Sequence, residues 1–121
     1  MTVRELIIQI HSDNVERGWW DGFNDLPLDI KDRSDVACVI EKLCLIHSEI
    51  SEALEEVRNG KGFDEIYFDK TKPLGFPTEL ADAVIRIFDL AVACGFDIES
   101  VISMKLTYNR TRGHKHGGKM L

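Results

Sequence analysis

The sequence has few cysteines and no long hydrophobic run. These two features argue against a disulfide-rich protein, a zinc-binding protein and a membrane-spanning protein. The three cysteines are an odd number without C-x-x-C spacing, so neither a disulfide framework nor a zinc site is supported. Cys38, Cys44 and Cys94 all fall in helical patterns, so we expect buried free thiols. No apolar segment approaches the ~20 residues that span a bilayer, and the charged N-terminal segment is unlike a secretory signal. We therefore expect a cytoplasmic protein that does not enter a membrane.

Positive charge is also scarce through most of the chain. The 121 residues contain 15 lysines and arginines against 21 acids, a net charge of −6. Residues 105–121 hold five of the basic residues and no acid, so residues 1–104 carry ten basic residues against 21 acids, a net −11. An acidic body excludes the extended basic face of a duplex nucleic-acid binder. A short basic tail beside acidic helices favours a small phosphorylated ligand, bridged to the carboxylates by metal.

Helical periodicity accounts for most of the chain. Four helices are predicted, at about residues 2–17, 34–60, 78–95 and 97–113. A capping box between Thr2 and Glu5 begins the first, and Ser34, Thr78 and Asp97 are the expected N-caps of the others. Residues 60–76 have no sustained period and predict a loop with a short strand-like piece at 65–68. The expected fold is one all-α, four-helix bundle-like domain over 1–121 with a flexible basic tail at 113–121.

The second predicted helix has a longer apolar stripe than a core of this size needs. Its members are Val36, Val39, Ile40, Leu43, Ile46, Ile50, Ala53, Leu54 and Val57. The fourth helix should turn Ile98, Val101, Ile102 and Tyr108 inward. A stripe of this length favours a homodimer or a dimer of dimers.

Two acidic pairs are the most informative motif. Glu49-Ile50-Ser51-Glu52 and Glu79-Leu80-Ala81-Asp82 each place two carboxylates on one helix face at i, i+3 spacing. Four such groups between neighbouring helices would repel one another unless cations lay among them. Hard oxygen ligands favour Mg²⁺, with Mn²⁺ as a substitute, and Mg²⁺ favours phosphate-bearing substrates.

Each acidic pair also has a structural interpretation. Glu49 and Glu52 could belong to a solvated acidic face, although no basic residue lies three or four positions from either. Glu79 and Asp82 lie in a first helical turn, where the helix dipole favours acids. Arg86, one turn after Asp82, could pair with it and orient it. The two pairs together, on neighbouring helices, predict a metal site.

Two basic residues and one amide on the fourth helix form a candidate phosphate-binding group. Lys105, Asn109 and Arg112 share one face of the fourth helix at i, i+4, i+7 and could hold phosphates. An ordinary basic helix C-terminus would look the same. Trp19 and Trp20 could stack on a nucleobase or anchor a core or subunit contact.

Two other catalytic schemes lack their residues. The sequence has no Glu-x-x-His motif, which the di-iron helical bundles require. No serine or cysteine has an identifiable base partner for nucleophilic catalysis.

Three segments together resemble a known enzyme family. LIHSEISEALEEVRNG, GFPTELADAVIRIFDLA and KLTYNRTRGHKHGGK, within about residues 36–119, are similar to the MazG-like branch of the all-α nucleoside triphosphate pyrophosphohydrolases. That superfamily also includes dimeric dUTPases and phosphoribosyl-ATP pyrophosphohydrolases. The acidic pattern is moderately specific by itself. The K-x-x-Y-N-x-T-R segment and the basic His-Gly tail strengthen the likeness.

The resemblance implies Mg²⁺-dependent cleavage of (deoxy)nucleoside triphosphates between the α and β phosphates, giving the monophosphate and pyrophosphate in nucleotide-pool cleansing. It implies Glu49, Glu52, Glu79 and Asp82 as metal ligands, with Glu49 or Glu52 helping to orient or deprotonate the attacking water. The implied substrate-binding residues are Lys105, Asn109, Arg112, Lys115, His116 and Lys119. Trp20 lies outside the segments that carry the resemblance and is a candidate for the base only because its ring could stack. A dUTPase-type specialist, or a catalytically silent helical oligomer that binds nucleotides or a protein partner, are the alternatives.

Overall fold

The computed structural model describes residues 1–23 and 25–112 and is mainly helical, as the sequence predicts. Helix α1 spans Val3–Glu16, α2 Arg33–Arg58, α3 Phe76–Ala93 and α4 Ile98–Thr111. Between α2 and α3 lies an antiparallel hairpin of β1, Tyr67–Asp69, and β2, Lys72–Leu74. Within the described residues, no helix is long and apolar enough to cross a bilayer.

The helix starts follow local capping, and two of them differ from the prediction. Thr2 forms the expected capping box with Glu5, and Asp97 accepts from the backbone of α4 as expected. Helix α2 begins earlier than predicted, because Asp32 rather than Ser34 is the N-cap; its carboxylate accepts from Ser34 N at 2.8 Å and from Asp35 N at 3.1 Å. Asp and Ser are about equally good N-caps, so side-chain preference alone did not decide between Asp32 and Ser34.

The start of α3 is the second difference, and it is set by the hairpin. Gly75 is the N-cap with φ +129, and a Cβ at this position would overlap the carbonyl oxygen of Glu65. Thr78, the predicted cap, lies inside the first turn, where its hydroxyl donates to Gly75 O at 3.0 Å. Only glycine permits both the backbone conformation and this close approach. The hairpin is thereby packed against the first turn of α3.

The hairpin occupies residues 67–74, about half of the loop predicted over 60–76. Tyr67 pairs with Leu74 and Asp69 with Lys72, and Lys70 has the positive φ of a tight turn. The Tyr67 hydroxyl donates to Glu56 of α2 at 2.8 Å, and this bond raises the pKa of Tyr67. With only three residues per strand, alternation was too short to predict the second strand.

Helix α3 is central and packs against α1 and α2. The core cluster contains Trp20, Cys38 and Ala93, with Leu90 and the connection after Trp20 packed around it. Small residues of α3, among them Ala83 and Ala93, permit close helix contact. All three cysteines are free, and burial raises the pKa of the Cys38 and Cys94 thiols.

Two expectations about burial are wrong for the single chain. Cys44 is exposed rather than buried. Helix α4 buries no residue, and Val101, Ile102 and Tyr108, expected to point inward, are 40%, 43% and 53% exposed. The close-packed unit is therefore three helices, to which α4 is joined by a small contact with α3.

Candidate metal centre and adjoining cavity

The packing of α2 on α3 brings the acidic pairs face to face. One carboxylate oxygen each from Glu49, Glu79 and Asp82 lies within 4.8 Å of the others; we call these residues the acidic triad. Glu49 and Glu79 are buried, whereas Asp82 is exposed. Because i, i+3 spacing aligns each pair along its helix, one helix–helix contact is sufficient to assemble the group.

Glu52 lies at the exposed edge of the same group. It is not part of the triad, yet it contacts Glu79 closely enough for a protonated Glu79 to donate a hydrogen bond to it. The structure therefore brings together all four acids that the sequence singles out. Their burial differs, which gives them different chemical properties.

The triad holds more negative charge than its surroundings compensate. Burial, then the hydrogen bond with Glu52 and the charges of Glu52, Asp82 and Glu49, raise the pKa of Glu79 from 4.5 to about 7. Asp82 is exposed at its outer side, yet the neighbouring side chains partly desolvate its carboxylate, and this desolvation and the charge of Glu49 raise its pKa. Glu79 Oε2 is buried without a hydrogen-bond partner among the described residues. A buried carboxylate oxygen left in this state is costly to the fold unless a proton or a cation meets it.

Arg86 supplies positive charge to the triad, but its partner is not the residue that the sequence predicts. Its Nε donates to Glu49 Oε1 at 2.8 Å across the α2–α3 contact, rather than pairing with Asp82 on its own helix. Its charge, with that of Lys72 from the hairpin, opposes the rise in the pKa of Asp82. The bond from Arg86 to Glu49 and the influence of Lys72 on Asp82 could not be predicted from sequence, because both depend on how distant segments pack.

The donor set fits a hard divalent cation. All three ligand atoms are carboxylate oxygens and lie within 4.8 Å of one another. Small side-chain movements would bring them to the roughly 3–4 Å between oxygens around one Mg²⁺ with bonds of about 2.1 Å. The buried Glu79 oxygen, to which no described residue donates, is a second sign, because it is suited to accept a cation. The site lacks the nitrogen and sulfur ligands that zinc prefers.

A cavity of about 220 Å³ adjoins the triad, and Glu49 and Asp82 form part of its wall. Its other lining residues are contributed by α1, the segment after it, α2 and α3, and include Arg17, Lys42, Arg86, Trp19, Trp20 and Asn14. The wall therefore combines cationic, aromatic and carboxamide groups. Such a mixture can accept a ligand that has both an anionic and a planar part.

The two tryptophans make cation–π contacts, and Trp20 also makes a hydrogen bond to a buried acid. Lys42 Nζ lies 4.7 Å from the ring centroid of Trp20 and 5.2 Å from that of Trp19. Trp20 is buried and its indole N–H donates to Asp89 at 3.0 Å, while His11 Nδ1 lies 2.7 Å from the same carboxylate. Trp20 thus belongs to the core and lines the cavity as well. Trp19, 44% exposed, presents more of its ring to solvent.

Asn14 is a lining residue that the sequence did not point out. It is 9% exposed and lies in the wall of the cavity. Lys42, Arg17 and Asp89 were also missed as cavity residues. The only available signal was that Asp89 shares a helix face with Asp82 and Arg86.

The predicted basic residues of α4 are not joined to the triad. Lys105 Nζ and the Arg112 guanidinium lie 5.0 and 5.6 Å from the ring centroid of Tyr108 on their own helix. Neither they nor Asn109 are among the residues that line this cavity. Lys115, His116 and Lys119 lie outside the described residues.

Comparisons of the chain with protein-family models, with curated proteins and with solved structures found no match. The resemblance carried by the three segments therefore stays a prediction. The geometry of the triad and its cavity is the basis for assigning a function.

Proposed function

We propose that the protein is a Mg²⁺-dependent hydrolase that cleaves (deoxy)nucleoside triphosphates between the α and β phosphates, releasing the monophosphate and pyrophosphate. The observation that carries this proposal is the convergence of Glu49, Glu79 and Asp82, with a buried Glu79 oxygen that no described residue meets. The implied family points to the same four acids. The proposed role is cleansing of the nucleotide pool; the cytoplasmic location stays a prediction.

The burial of each of the four acids would determine whether it binds the metal or acts on the attacking water. Glu49, Glu79 and Asp82 would hold the cation, with Glu52 completing the group from its exposed edge. Bound Mg²⁺ would supply positive charge that stabilises the phosphoryl oxygens and makes an attacking water easier to deprotonate. Glu52 is best suited to orient the water or take its proton, because it is exposed, whereas Glu49 is already bonded to Arg86.

The cavity would hold the nucleotide beside the carboxylates. Lys42 and Arg17 would neutralise phosphate oxygens. The exposed ring of Trp19 offers a stacking face. The carboxamide of Asn14 lines the same cavity and can both donate to and accept from the edge of a base. Lys105, Asn109 and Arg112 remain proposed phosphate ligands, and they would reach a site through a subunit contact.

A homodimer or homotetramer is part of the proposal. Many large apolar residues are exposed on the single chain, notably Ile40, Leu43, Ile50 and Leu54 of α2 and Val101, Ile102, Met104 and Leu106 of α4. Apolar surface of this extent is typical of subunit interfaces. Covering α4 with a second copy would also explain why this helix buries nothing in its own chain.

The assembly can be tested by placing one charge on each face of α4. Ile102→Glu puts a carboxylate on the apolar face, and Thr107→Glu puts the same charge on the polar face of the same helix. Sedimentation equilibrium should show dissociation for the first variant only. An unchanged mass for Ile102→Glu would remove this face from the proposed interface.

The activity can be tested with a panel of NTPs and dNTPs in Mg²⁺, Mn²⁺ or EDTA. We expect pyrophosphate release that requires the metal and falls at least ~100-fold in Glu79→Gln. Glu55→Gln, a change of the same chemistry at an exposed site of α2, should leave turnover unchanged. Orthophosphate as the product would indicate a phosphatase, and no turnover of any nucleotide would contradict the enzymatic proposal.

A further inference from the structure

Arg86 is bonded to a carboxylate that the proposed metal requires. Its Nε lies 2.8 Å from Glu49 Oε1, and the side chains of Arg86 and Glu49 are 26% and 9% exposed. Its charge also acts on Asp82. One guanidinium therefore influences two of the three members of the triad.

We propose that Arg86 is an exchangeable stand-in for the metal, neutralising Glu49 in the metal-free protein and releasing it when a divalent cation binds. The inference rests on the metal site of the proposed function. It makes Arg86 a positioning residue, which acts through Glu49 rather than on the reacting atoms.

An arginine beside a ligand can have either of two opposite effects. If it orients the ligand in the metal-bound state, it strengthens metal binding, as outer-shell partners of metal sites usually do. If it bonds the ligand mainly in the metal-free state, it competes with the metal. The sign of the change in affinity when Arg86 is removed distinguishes the two.

Charge and geometry favour competition. The single positive charge of Arg86 leaves Glu79 Oε2 without a partner among the described residues, so the triad is under-compensated in its present state. A divalent cation satisfies all three carboxylates at once and repels a guanidinium that shares Glu49 with it. Trp19 gives Arg86 an alternative contact, since the guanidinium already lies 5.1 Å from that ring's centroid.

Release would also turn Arg86 toward a ligand. Arg86 lines the cavity next to Trp19, so a guanidinium freed from Glu49 can face an anion there without leaving the tryptophan. Metal binding at the triad and anion binding in the cavity would then favour each other.

The test measures metal affinity without nucleotide. Mn²⁺ is titrated calorimetrically into metal-free wild type and Arg86→Met, whose side chain keeps an apolar stem against Trp19. The apparent dissociation constant equals the intrinsic one divided by the fraction of molecules that are competent to bind. If Arg86 holds Glu49 in most molecules, its removal should tighten Mn²⁺ binding about tenfold.

A matched variant shows whether tighter Mn²⁺ binding is specific to Arg86 or follows from removing any arginine of the protein. Arg58→Met removes an exposed pair with Glu55 on α2 and should leave Mn²⁺ affinity unchanged. Metal-free Arg86→Met should melt at a lower temperature than wild type, because Glu49 loses its partner, and Mn²⁺ should raise its Tm by more than it raises that of wild type. If Arg86→Met does not fold, Arg86→Gln keeps a neutral donor to Glu49 and is titrated in its place.

The possible results separate failure of the Arg86 exchange from failure of the metal site. Equal or weaker Mn²⁺ binding by Arg86→Met, with binding by wild type that Glu79→Gln abolishes, overturns the exchange and leaves the metal site standing. Absence of Mn²⁺ binding in both wild type and Arg86→Met overturns the metal site itself.

Discussion

Replacing Glu79 by glutamine should make the metal-free protein more stable above pH 7 while removing its activity. Glu79 is buried, its Oε2 has no described partner, and its neighbours Glu52 and Asp82 are acids. Glutamine keeps the shape of the protonated side chain, loses the charge and can donate to Glu52. A residue that serves the fold would behave in the opposite way.

The magnitude follows from the pKa of Glu79, which rises from 4.5 to about 7 on folding. Because the folded pKa is the higher one, the folded state binds more protons than the unfolded chain between these values. Stability therefore falls as the pH rises through this window. A pKa change of one corresponds to about 1.36 kcal/mol, so the full loss is roughly 3 kcal/mol. Allowing for relaxation and water entry, we expect Glu79→Gln to gain about 1–3 kcal/mol at pH 8.

The assay is urea unfolding in EDTA at pH 5 and pH 8, at one fixed protein concentration because oligomer stability depends on concentration. At pH 5 the gain should be about a quarter of that at pH 8, because folded Glu79 is protonated there while the unfolded side chain, with its pKa of 4.5, is already mostly ionised. Glu55→Gln, on an exposed turn of α2 with Arg58 as its partner, should change stability by no more than about 0.5 kcal/mol at either pH. Added Mg²⁺ should stabilise wild type and not Glu79→Gln.

Two results would refute the reasoning. A Glu79→Gln protein less stable than wild type at pH 8 would mean that the glutamate makes favourable contacts in the metal-free fold. A gain of the same size at pH 5 and pH 8 would mean that charge is not its origin.

Three other substitutions test separate parts of the structure. Glu52→Gln should fold normally, with turnover of a dNTP lower by at least ~100-fold; near-normal turnover would remove Glu52 from the site. Asp89→Asn replaces one of the two carboxylate oxygens that accept from the Trp20 indole with an amide that donates. Urea unfolding should show a free energy of unfolding lower by about 1–3 kcal/mol; an unchanged midpoint would mean that this buried bond is dispensable. Gly75→Ala forces a Cβ against Glu65 O and should cost at least about 2 kcal/mol; an unaltered Tm would show that the hairpin moves freely.

Local features were predictable where they depend on neighbours in the sequence. The capping box of α1 and the Asp97 cap of α4 are both present, because a cap needs only a suitable side chain next to the first turn. The Asp32 and Gly75 starts were missed. At Asp32 two capping residues competed, and at Gly75 the decisive contact comes from Glu65, ten positions away.

The exposed stripes of α2 and α4 show a different limit. Periodicity correctly indicates which residues share an apolar face, but it does not say what covers that face. In the single chain, Leu43 and Ile102 are 47% and 43% exposed. A prediction that placed α4 inside a four-helix core assumed that the chain buries its own apolar surface.

The sequence by itself determined that two acidic pairs each lie along one face of a helix, since a period of 3.6 residues depends only on backbone hydrogen bonds within the helix. The tertiary structure decided that Arg86 meets Glu49 rather than Asp82, that Asp89 holds Trp20, and that Glu79 keeps a buried oxygen without a described donor. These contacts join residues far apart in the chain, and they depend on how closely and at what angle the helices pack. Helical periodicity contains no information about that packing.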